Sequence, residues 1–113
     1  MQRSNSRRAH RLGDQIMREV ATIITQEIGD PRTEMVTVSG VRMNKDLSIA
    51  EVLYTSYGTD EDREAAALAL DKATGHIRSL LGKRLRNKYL PKIRFVYDEY
   101  LEDMVYDHPQ NDD

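Results

Sequence analysis

Basic residues dominate the stretch of chain between positions 72 and 94. This stretch contains eight lysines and arginines and no aspartate or glutamate. They are Lys72, Arg78, Lys83, Arg84, Arg86, Lys88, Lys92 and Arg94. Cations gathered without acids neutralise the phosphates of a nucleic-acid backbone, although a single basic run is also typical of a solvated helix face. The length of the acid-free stretch favours phosphate binding.

A glycine near the start of the basic stretch predicts an anion site. The sequence Ala73-Thr74-Gly75 interrupts a helical pattern, and Lys72 and Arg78 flank it. If the chain turns tightly there, the free amides of the next helix would bind a phosphate together with these two cations. His76 is either a further phosphate contact or an exposed helix residue.

A second basic cluster lies near the start of the chain. It consists of Arg7, Arg8 and Arg11, which have no acidic neighbour within the first twelve residues. We expect this cluster to extend a ridge formed by the cations at positions 83, 84, 86 and 88. Four aromatic side chains could stack on bases, although such residues at strand and helix ends more often belong to the core or its rim. They are Tyr54, Tyr57, Tyr89 and Phe95.

Residues suited to catalysis or metal binding are sparse. The histidines are His10, His76 and His108, none has a partner at a ligand spacing, and the chain contains no cysteine. The sequence also lacks the G-x-x-x-x-G-K and G-x-G-x-x-G patterns of phosphate-binding loops. The sequence therefore predicts no catalytic residue, no metal site and no cofactor.

The net charge of −2 over 113 residues conceals the segregation of charge along the chain. From position 97 onward there are seven acidic residues and no basic one. We predict one domain over residues 1–98 and an acidic tail over residues 99–113. Whether the tail folds, or covers the basic surface as a mimic of RNA, stays open.

Signals for export or membrane insertion are absent from the sequence. The first thirty residues have no continuous apolar core of a signal peptide, and the longest apolar run, at 65–70, is too short to span a bilayer. We therefore expect a soluble cytoplasmic protein with no membrane partner.

Hydrophobic periodicity places the basic clusters on helices that accompany a small sheet. Apolar residues at three- and four-residue steps predict a helix over residues 4–28, which a left-handed Gly29 would end. Residues 35–43 and 48–57 are rich in β-branched and aromatic side chains and predict a hairpin. Gly40 stands where the alternation slips, which predicts a β-bulge.

The second half of the chain predicts more helix and one further strand. Thr59 caps a helix over about 61–74, and a helical stripe resumes after Gly75 until about Asn87. Two helices joined at the glycine and one helix kinked there fit equally well. Residues 92–97 form the last strand. The order helix-strand-strand-helix-(kink)-helix-strand predicts an α+β domain whose three-stranded sheet has helices on one face.

The order and spacing of these residues resemble the ribosome-binding factor A family from about Arg7 to Asp98. The markers are Ile16 and Glu19, Asp30-Pro31-Arg32, Val36-Thr37-Val38 with Val41, Asp46-Leu47 with Ala50, Ala73-Thr74-Gly75 with Ile77-Arg78, and Leu81, Leu85, Pro91 and Phe95. The junction at 73–75 carries most of the resemblance. Each marker alone is weak, but together in this order they are specific.

The resemblance implies a type II K-homology fold and a ribosomal partner. Ordinary K-homology domains clamp RNA with a G-x-x-G loop, which this family replaces by an Ala-x-Gly kink, matched here by Ala73 and Gly75. The implied partners are 16S ribosomal RNA and free small (30S) subunits. The implied role is late maturation and rRNA processing in the precursor subunit, often important in the cold, with release before translation. The implied state is a monomer, and the chain ends sooner than in members with longer extensions.

Two other functions stay open on the residues alone. A protein–protein adaptor would use the basic face and an exposed strand edge to bind acidic partners. An enzyme would need a converging pair, such as His10 or His76 beside Asp46 or Glu51.

Overall fold

The computed structural model describes residues 1–100 and shows an α+β domain with two helices and one three-stranded sheet. Its elements are α1 (Arg7–Glu27), a 3₁₀ turn (Pro31–Thr33), β1 (Val36–Met43), β2 (Ile49–Ser56), α2 (Asp60–Arg84) and β3 (Lys92–Tyr97). The predicted fold class is confirmed, and one continuous helix, α2, stands where two helices or a kinked one were expected. The acidic tail beyond position 100, with His108, lies outside the described residues.

Strand β2 lies in the middle of the sheet. It pairs antiparallel with β1 and parallel with β3. The register of the first pair shifts between Val38 and Gly40, so Ser39 is the extra residue of a bulge. The predicted hairpin and its bulge are therefore confirmed. The hydroxyl of Ser39 donates to Asp98 Oδ2 at 2.7 Å, which ties the bulge to the end of β3.

Both helices pack on one face of the sheet. Alternate residues of β2 are buried on that face, namely Ala50, Val52, Tyr54 and Ser56. The largest fully buried helix side chains that meet them are Ile16, Val20, Ile23, Leu70, Ile77 and Leu81. Burial of each such side chain contributes roughly 1.5–3 kcal/mol, so this single core holds the two helices in place relative to each other.

Local hydrogen bonds fix where α1 begins and ends. Ser6 Oγ accepts from the Ala9 amide at 3.0 Å and caps the start of the helix. At the other end, Ile28 is extended and its amide donates to the Ile23 carbonyl at 3.2 Å. The predicted left-handed Gly29 is wrong, because within residues 1–100 only Leu47 and Gly58 have positive φ. The chain leaves the helix extended and enters the 3₁₀ turn directly.

The start of α2 is a complete capping box. The Asp62 amide donates to Thr59 Oγ1 at 3.1 Å, and the Thr59 amide donates to Asp62 Oδ2 at 2.9 Å. Gly58 precedes it with φ 120°, and a Cβ there would lie 2.5 Å from Asp62 Oδ2. The helix ends at Arg84, earlier than the predicted Asn87, because Leu85 is already extended.

Candidate nucleic-acid interface

The start of α1 holds three exposed arginines beside the β1–β2 turn. The Ser4 amide donates to the Met43 carbonyl at 3.0 Å, so the chain before α1 is held against the end of β1. The arginines are Arg7, Arg8 and Arg11. The first turn of α1 contains no acidic residue. Because the N-terminus of a helix carries partial positive charge, these arginines reinforce the local potential instead of neutralising it.

The segment between α2 and β3 folds back along the last turns of α2. Arg78 donates from Nε to the Pro91 carbonyl at 3.0 Å and from Nη2 to the Leu90 carbonyl at 2.9 Å. Gly82 permits this close approach, since a Cβ there would lie 3.1 Å from Leu90 Cδ2. Pro91 is buried, whereas residues 86–89 are all exposed. The anchored segment therefore presents its polar and aromatic side chains outward.

The β1–β2 turn is closed by the carboxylate of Asp46. Asp46 Oδ1 accepts from Ser48 Oγ at 2.6 Å, from the Ser48 amide at 3.1 Å and from Asn44 Nδ2 at 2.9 Å. These bonds, chiefly the one from the Ser48 hydroxyl, lower the pKa of Asp46. The carboxylate is therefore ionised at neutral pH and is bonded within its own turn. It forms no ion pair with the nearby arginines within the described chain.

These three segments line one groove of about 220 Å³. Its lining residues are Arg8, Arg11, Leu12, Gln15, Asp46, Leu47, Asn87, Lys88 and Tyr89. A second hollow of about 360 Å³ continues it along α1. That hollow is lined by Gln15, Arg18, Glu19, Arg84, Leu85 and Arg86. Because Gln15 lines both, we treat them as one feature and call it the basic groove.

Five cations of the basic groove have no acidic partner within residues 1–100. They are Arg8, Arg11, Arg18, Arg86 and Lys88. They come from two elements that are distant in sequence, and the shared core of the domain sets their spacing. Like charges held near one another repel, and an anion placed among them relieves that repulsion. The basic groove is thus suited to a chain of phosphates.

Three of the predicted phosphate ligands have partners inside the protein. Arg78 holds the two carbonyls described above. Arg84 lies between the helices, 3.3 Å from Glu27 Oε1 and 3.9 Å from Glu19 Oε2. Arg94 Nη2 lies 2.8 Å from Glu51 Oε2, on the face of the sheet away from the helices. These contacts give the three arginines structural roles.

The remaining predicted cations lie outside the basic groove. Arg7 is exposed at the start of α1, next to the basic groove but not in its lining. Lys72 and Lys83 are exposed on the outer face of α2. Lys92 begins β3, where its amide donates to the Ser48 carbonyl at 2.8 Å. The basic stretch of the sequence is therefore divided among three surfaces. Only Arg84, Arg86 and Lys88 share the basic groove with the arginines of α1, and of these three Arg84 is paired with glutamates.

Sequence reasoning missed Arg18, Gln15 and Asn87 as parts of this site. Arg18 follows Arg11 by seven residues, which places both on the same side of a helix, and that spacing was a usable signal. Nothing in the local pattern indicated that Asn87 would face Gln15. Their proximity results from the way the α2–β3 segment folds back.

Comparison with known proteins identifies the family. The family model described as Ribosome-binding factor A matches residues 8–106. The chain belongs to the ribosome-binding factor A family. A relative of that name from Nitrosomonas eutropha is 42% identical over 95 residues, which cover 84% of this chain and 81% of the relative.

Solved structures of the ribosome-binding factor A family share the fold. The crystal structure of the Thermus thermophilus factor superposes with a TM-score of 0.70 at 31% identity, covering 79% of this chain and 94% of the other. A homology model of the Thermus thermophilus factor, fitted into the cryo-EM map of a 30S–RbfA complex, gives a TM-score of 0.68 at 33% identity, with 81% and 96% coverage. The predicted K-homology-like fold is thereby confirmed.

In this member of the ribosome-binding factor A family, the Ala73-Thr74-Gly75 sequence lies inside α2. Thr74 Oγ1 donates to the Leu70 carbonyl at 2.7 Å, a bond within the helix. The tight turn considered from sequence is absent from the described chain, so its free amides are not available for a phosphate. Gly75 is exposed, and a Cβ there would have no neighbour within 4 Å. No packing contact therefore requires a glycine at this position.

Groups that could support other chemistry do not converge. His10 and His76 are both exposed, and neither lines the groove that contains Asp46. Within the described residues no three His, Asp or Glu side chains come together in a metal-binding arrangement. Neither helix of residues 1–100 combines the length and apolar character needed to cross a bilayer.

Proposed function

We propose that this chain binds the small ribosomal subunit through 16S ribosomal RNA and assists its late maturation. The observation that carries the proposal is the basic groove, where five cations from α1 and the α2–β3 segment line one surface and have no acidic partner within residues 1–100. Membership in the ribosome-binding factor A family supports the same partner, because the Thermus thermophilus factor has been fitted into the map of a 30S–RbfA complex.

The proposed mechanism is non-covalent. Cations mounted on a rigid frame bind the RNA conformation whose phosphates match their spacing, and binding shifts the RNA population towards that conformation. The protein contributes position and charge, and no bond is made or broken. Binding that depends on phosphate spacing also allows release once the RNA adopts its mature arrangement, before the subunit enters translation.

Sedimentation with purified small subunits tests the proposal. Each neutralised phosphate contributes a slope of about −0.7 to −0.9 to the plot of log affinity against log salt concentration. Five groove cations therefore predict a loss of affinity of about 100- to 500-fold between 50 and 200 mM salt. Association that does not depend on salt would contradict the proposal, and association that survives ribonuclease treatment would favour the protein adaptor.

A matched pair of variants separates the groove from general charge. Arg11→Gln removes a groove cation and should weaken subunit binding and lower the salt slope by about 1. Arg32→Gln removes a cation that is paired with Asp30 at 2.7 Å and lines a different pocket. That control should bind normally. Equal losses in both variants would mean that net charge, and not the groove, determines binding.

The maturation role needs a separate measurement. Cells without the chain should accumulate free small subunits and unprocessed 16S precursor, most clearly at low temperature, where alternative RNA pairings are more stable. Expression of the native chain should restore processing, whereas a variant lacking the groove cations should not. Normal processing in the absence of the chain would contradict this part of the proposal.

A further inference from the structure

We infer that the basic groove holds one unpaired nucleotide, whose base stacks on the ring of Tyr89 while its phosphates contact Arg8, Arg11 and Lys88. This inference rests on the proposed function and adds the class of RNA segment that the groove accepts. The second hollow of the same groove then binds the continuing backbone through Arg18 and Arg86.

Tyr89 differs from the other aromatic residues around the sheet. Tyr54 packs edge-to-face with Phe95 and Tyr97, at centroid distances of 6.2 and 5.5 Å, and belongs to the core. Tyr89 is 75% exposed and contributes nothing to that cluster. Its hydroxyl has no hydrogen-bond partner within residues 1–100. The ring is therefore largely open to a ligand, with the Lys88 ammonium over it as its neighbour.

The backbone holds the ring in position. The carbonyls of the next two residues, Leu90 and Pro91, both accept from Arg78. Leu90 also packs against the helix at Gly82, and Pro91 is buried. Tyr89 is therefore displayed at the edge of an anchored segment, so that stacking on it requires little further ordering of the protein.

The surroundings of the ring match the parts of a nucleotide. Lys88 Nζ lies over the Tyr89 ring, 5.6 Å from its centroid, which places a cation at one face of the ring while a base stacks on the other. Arg8 and Arg11 line the same groove and supply further charge for phosphate. The side-chain amides of Gln15 and Asn87 can each donate to and accept from a base edge.

The part of the basic groove beside Tyr89 offers one stacking surface. Tyr89 is the one aromatic residue among those that line it, so it can stack on one base at a time. Bases inside a duplex are covered by their neighbours, whereas a bulged, looped or terminal base exposes its face to an aromatic ring. The groove therefore selects RNA with an unpaired nucleotide flanked by accessible phosphates.

A single tryptophan provides a direct test, because the native chain contains none. In the Tyr89→Trp variant, a single-stranded oligoribonucleotide of mixed sequence should quench the fluorescence on binding. The same strand annealed to its complement should quench it far less. Binding itself is followed independently by the anisotropy of end-labelled RNA. Saturated single-strand binding without quenching would overturn the inference.

Affinity measurements on two further variants complete the test. Tyr89→Ala should lower single-strand affinity by about 5- to 150-fold, the range expected for one stacked base, while the salt slope stays unchanged. Tyr89→Phe should retain most of the affinity. Tyr57→Ala, which removes a ring that is 74% exposed outside the groove, is the matched control and should bind normally. Circular dichroism verifies that each variant is folded.

The outcomes separate this inference from the function on which it depends. If Tyr89→Ala binds single strands as tightly as the native chain while Arg11→Gln loses affinity, stacking is wrong and the proposed RNA binding stands. If the native chain binds neither RNA nor small subunits, both proposals fail together.

Discussion

Helices α1 and α2 begin in opposite electrostatic environments. The first turn of α2 contains Asp60, Glu61 and Asp62, the arrangement that the positive end of a helix dipole favours. The first turn of α1 contains Arg7 and Arg8 and no acid, which the dipole disfavours. Charge at the start of α2 therefore stabilises the helix, whereas charge at the start of α1 destabilises it and fits a role in binding an anion.

The largest effect should follow when the start of α1 is made to resemble that of α2. Arg7→Glu combined with Arg8→Glu should lower RNA affinity by about 100-fold, since the Arg8 contact of roughly 1.5 kcal/mol is lost and two carboxylates then repel the phosphates. The same change should raise the free energy of unfolding slightly, because acids suit this helix end. Anisotropy and urea unfolding measure the two effects. A large loss of stability would show that the arginines are structural.

A cation with internal partners should behave in the opposite way. Arg78→Ala leaves the carbonyls of Leu90 and Pro91 without donors and should reduce the free energy of unfolding by about 2 kcal/mol. At temperatures where the variant is folded, Arg78→Ala should lower RNA affinity much less than Arg11→Gln does. The exposed Lys83 on the same helix is the control, and Lys83→Ala should leave the melting curve unchanged. If Arg78→Ala unfolds at the same temperature as the native chain, Arg78 has no structural role and the contrast with the groove cations fails.

The cap of α2 provides a smaller test of the stabilising role of that helix start. Thr59→Ala removes the oxygen that accepts from the Asp62 amide and should cost about 1 kcal/mol of stability. Because this end lies away from the basic groove, RNA affinity at low temperature should be unchanged. Thermal unfolding measures the loss of stability, and the anisotropy of labelled RNA measures the affinity. A parallel loss of affinity would mean that both ends of α2 contact RNA.

Gly75 tests whether the outer face of α2 also binds RNA. Gly75→Ala should raise the free energy of unfolding by about 0.5–1 kcal/mol, because the site is exposed, helical and free of steric conflict. If RNA backbone approaches this face closely, as the family resemblance suggests, the same methyl group should weaken binding. Unchanged affinity in the stabilised variant would confine the interface to the basic groove.

The smallest effect concerns pH. Hydrogen bonds from the Thr59 amide and hydroxyl lower the pKa of Asp62, and the Arg32 guanidinium lowers the pKa of Asp30 to about 2. A native pKa below the unfolded value of 3.8 contributes stability above that pH, and the contribution is lost as pH falls towards 2. The first turn of α1 has no acidic residue, so this acid-sensitive stability comes from the start of α2 and from the 3₁₀ turn.

Urea midpoints between pH 5 and pH 2 provide the measurement. The native chain should lose stability through this range, and Asp62→Asn and Asp30→Asn should each make the decline shallower. Asp14→Asn, which alters an exposed carboxylate on α1, is the control. If stability declines as steeply in these two variants as in the native chain, Asp62 and Asp30 are not the source of the acid-sensitive stability.

Most of the fold followed from local sequence patterns. The apolar stripe of α1, the bulge at Gly40 and the cap at Thr59 depend on residues within a few positions of one another, and all three are present in the structure. The left-handed Gly29 was wrong, because Ile28 and the 3₁₀ turn provide a different exit from the helix. Gly75 marked a position that the helical pattern alone could not assign to a turn or to a continuous helix.

Periodicity, composition and motif spacing lie along the chain, and they were enough to predict most of the secondary structure, the segregation of charge and the family. Which cations share a surface depends on how the chain folds. Arg84 and Arg86 both line the basic groove, but the helix ends between them, so Arg84 pairs with two glutamates of α1 and Arg86 has no acidic partner within residues 1–100. The physical reason is that side-chain direction depends on where each element ends and on partners far away in sequence, as Arg78 and Pro91 show.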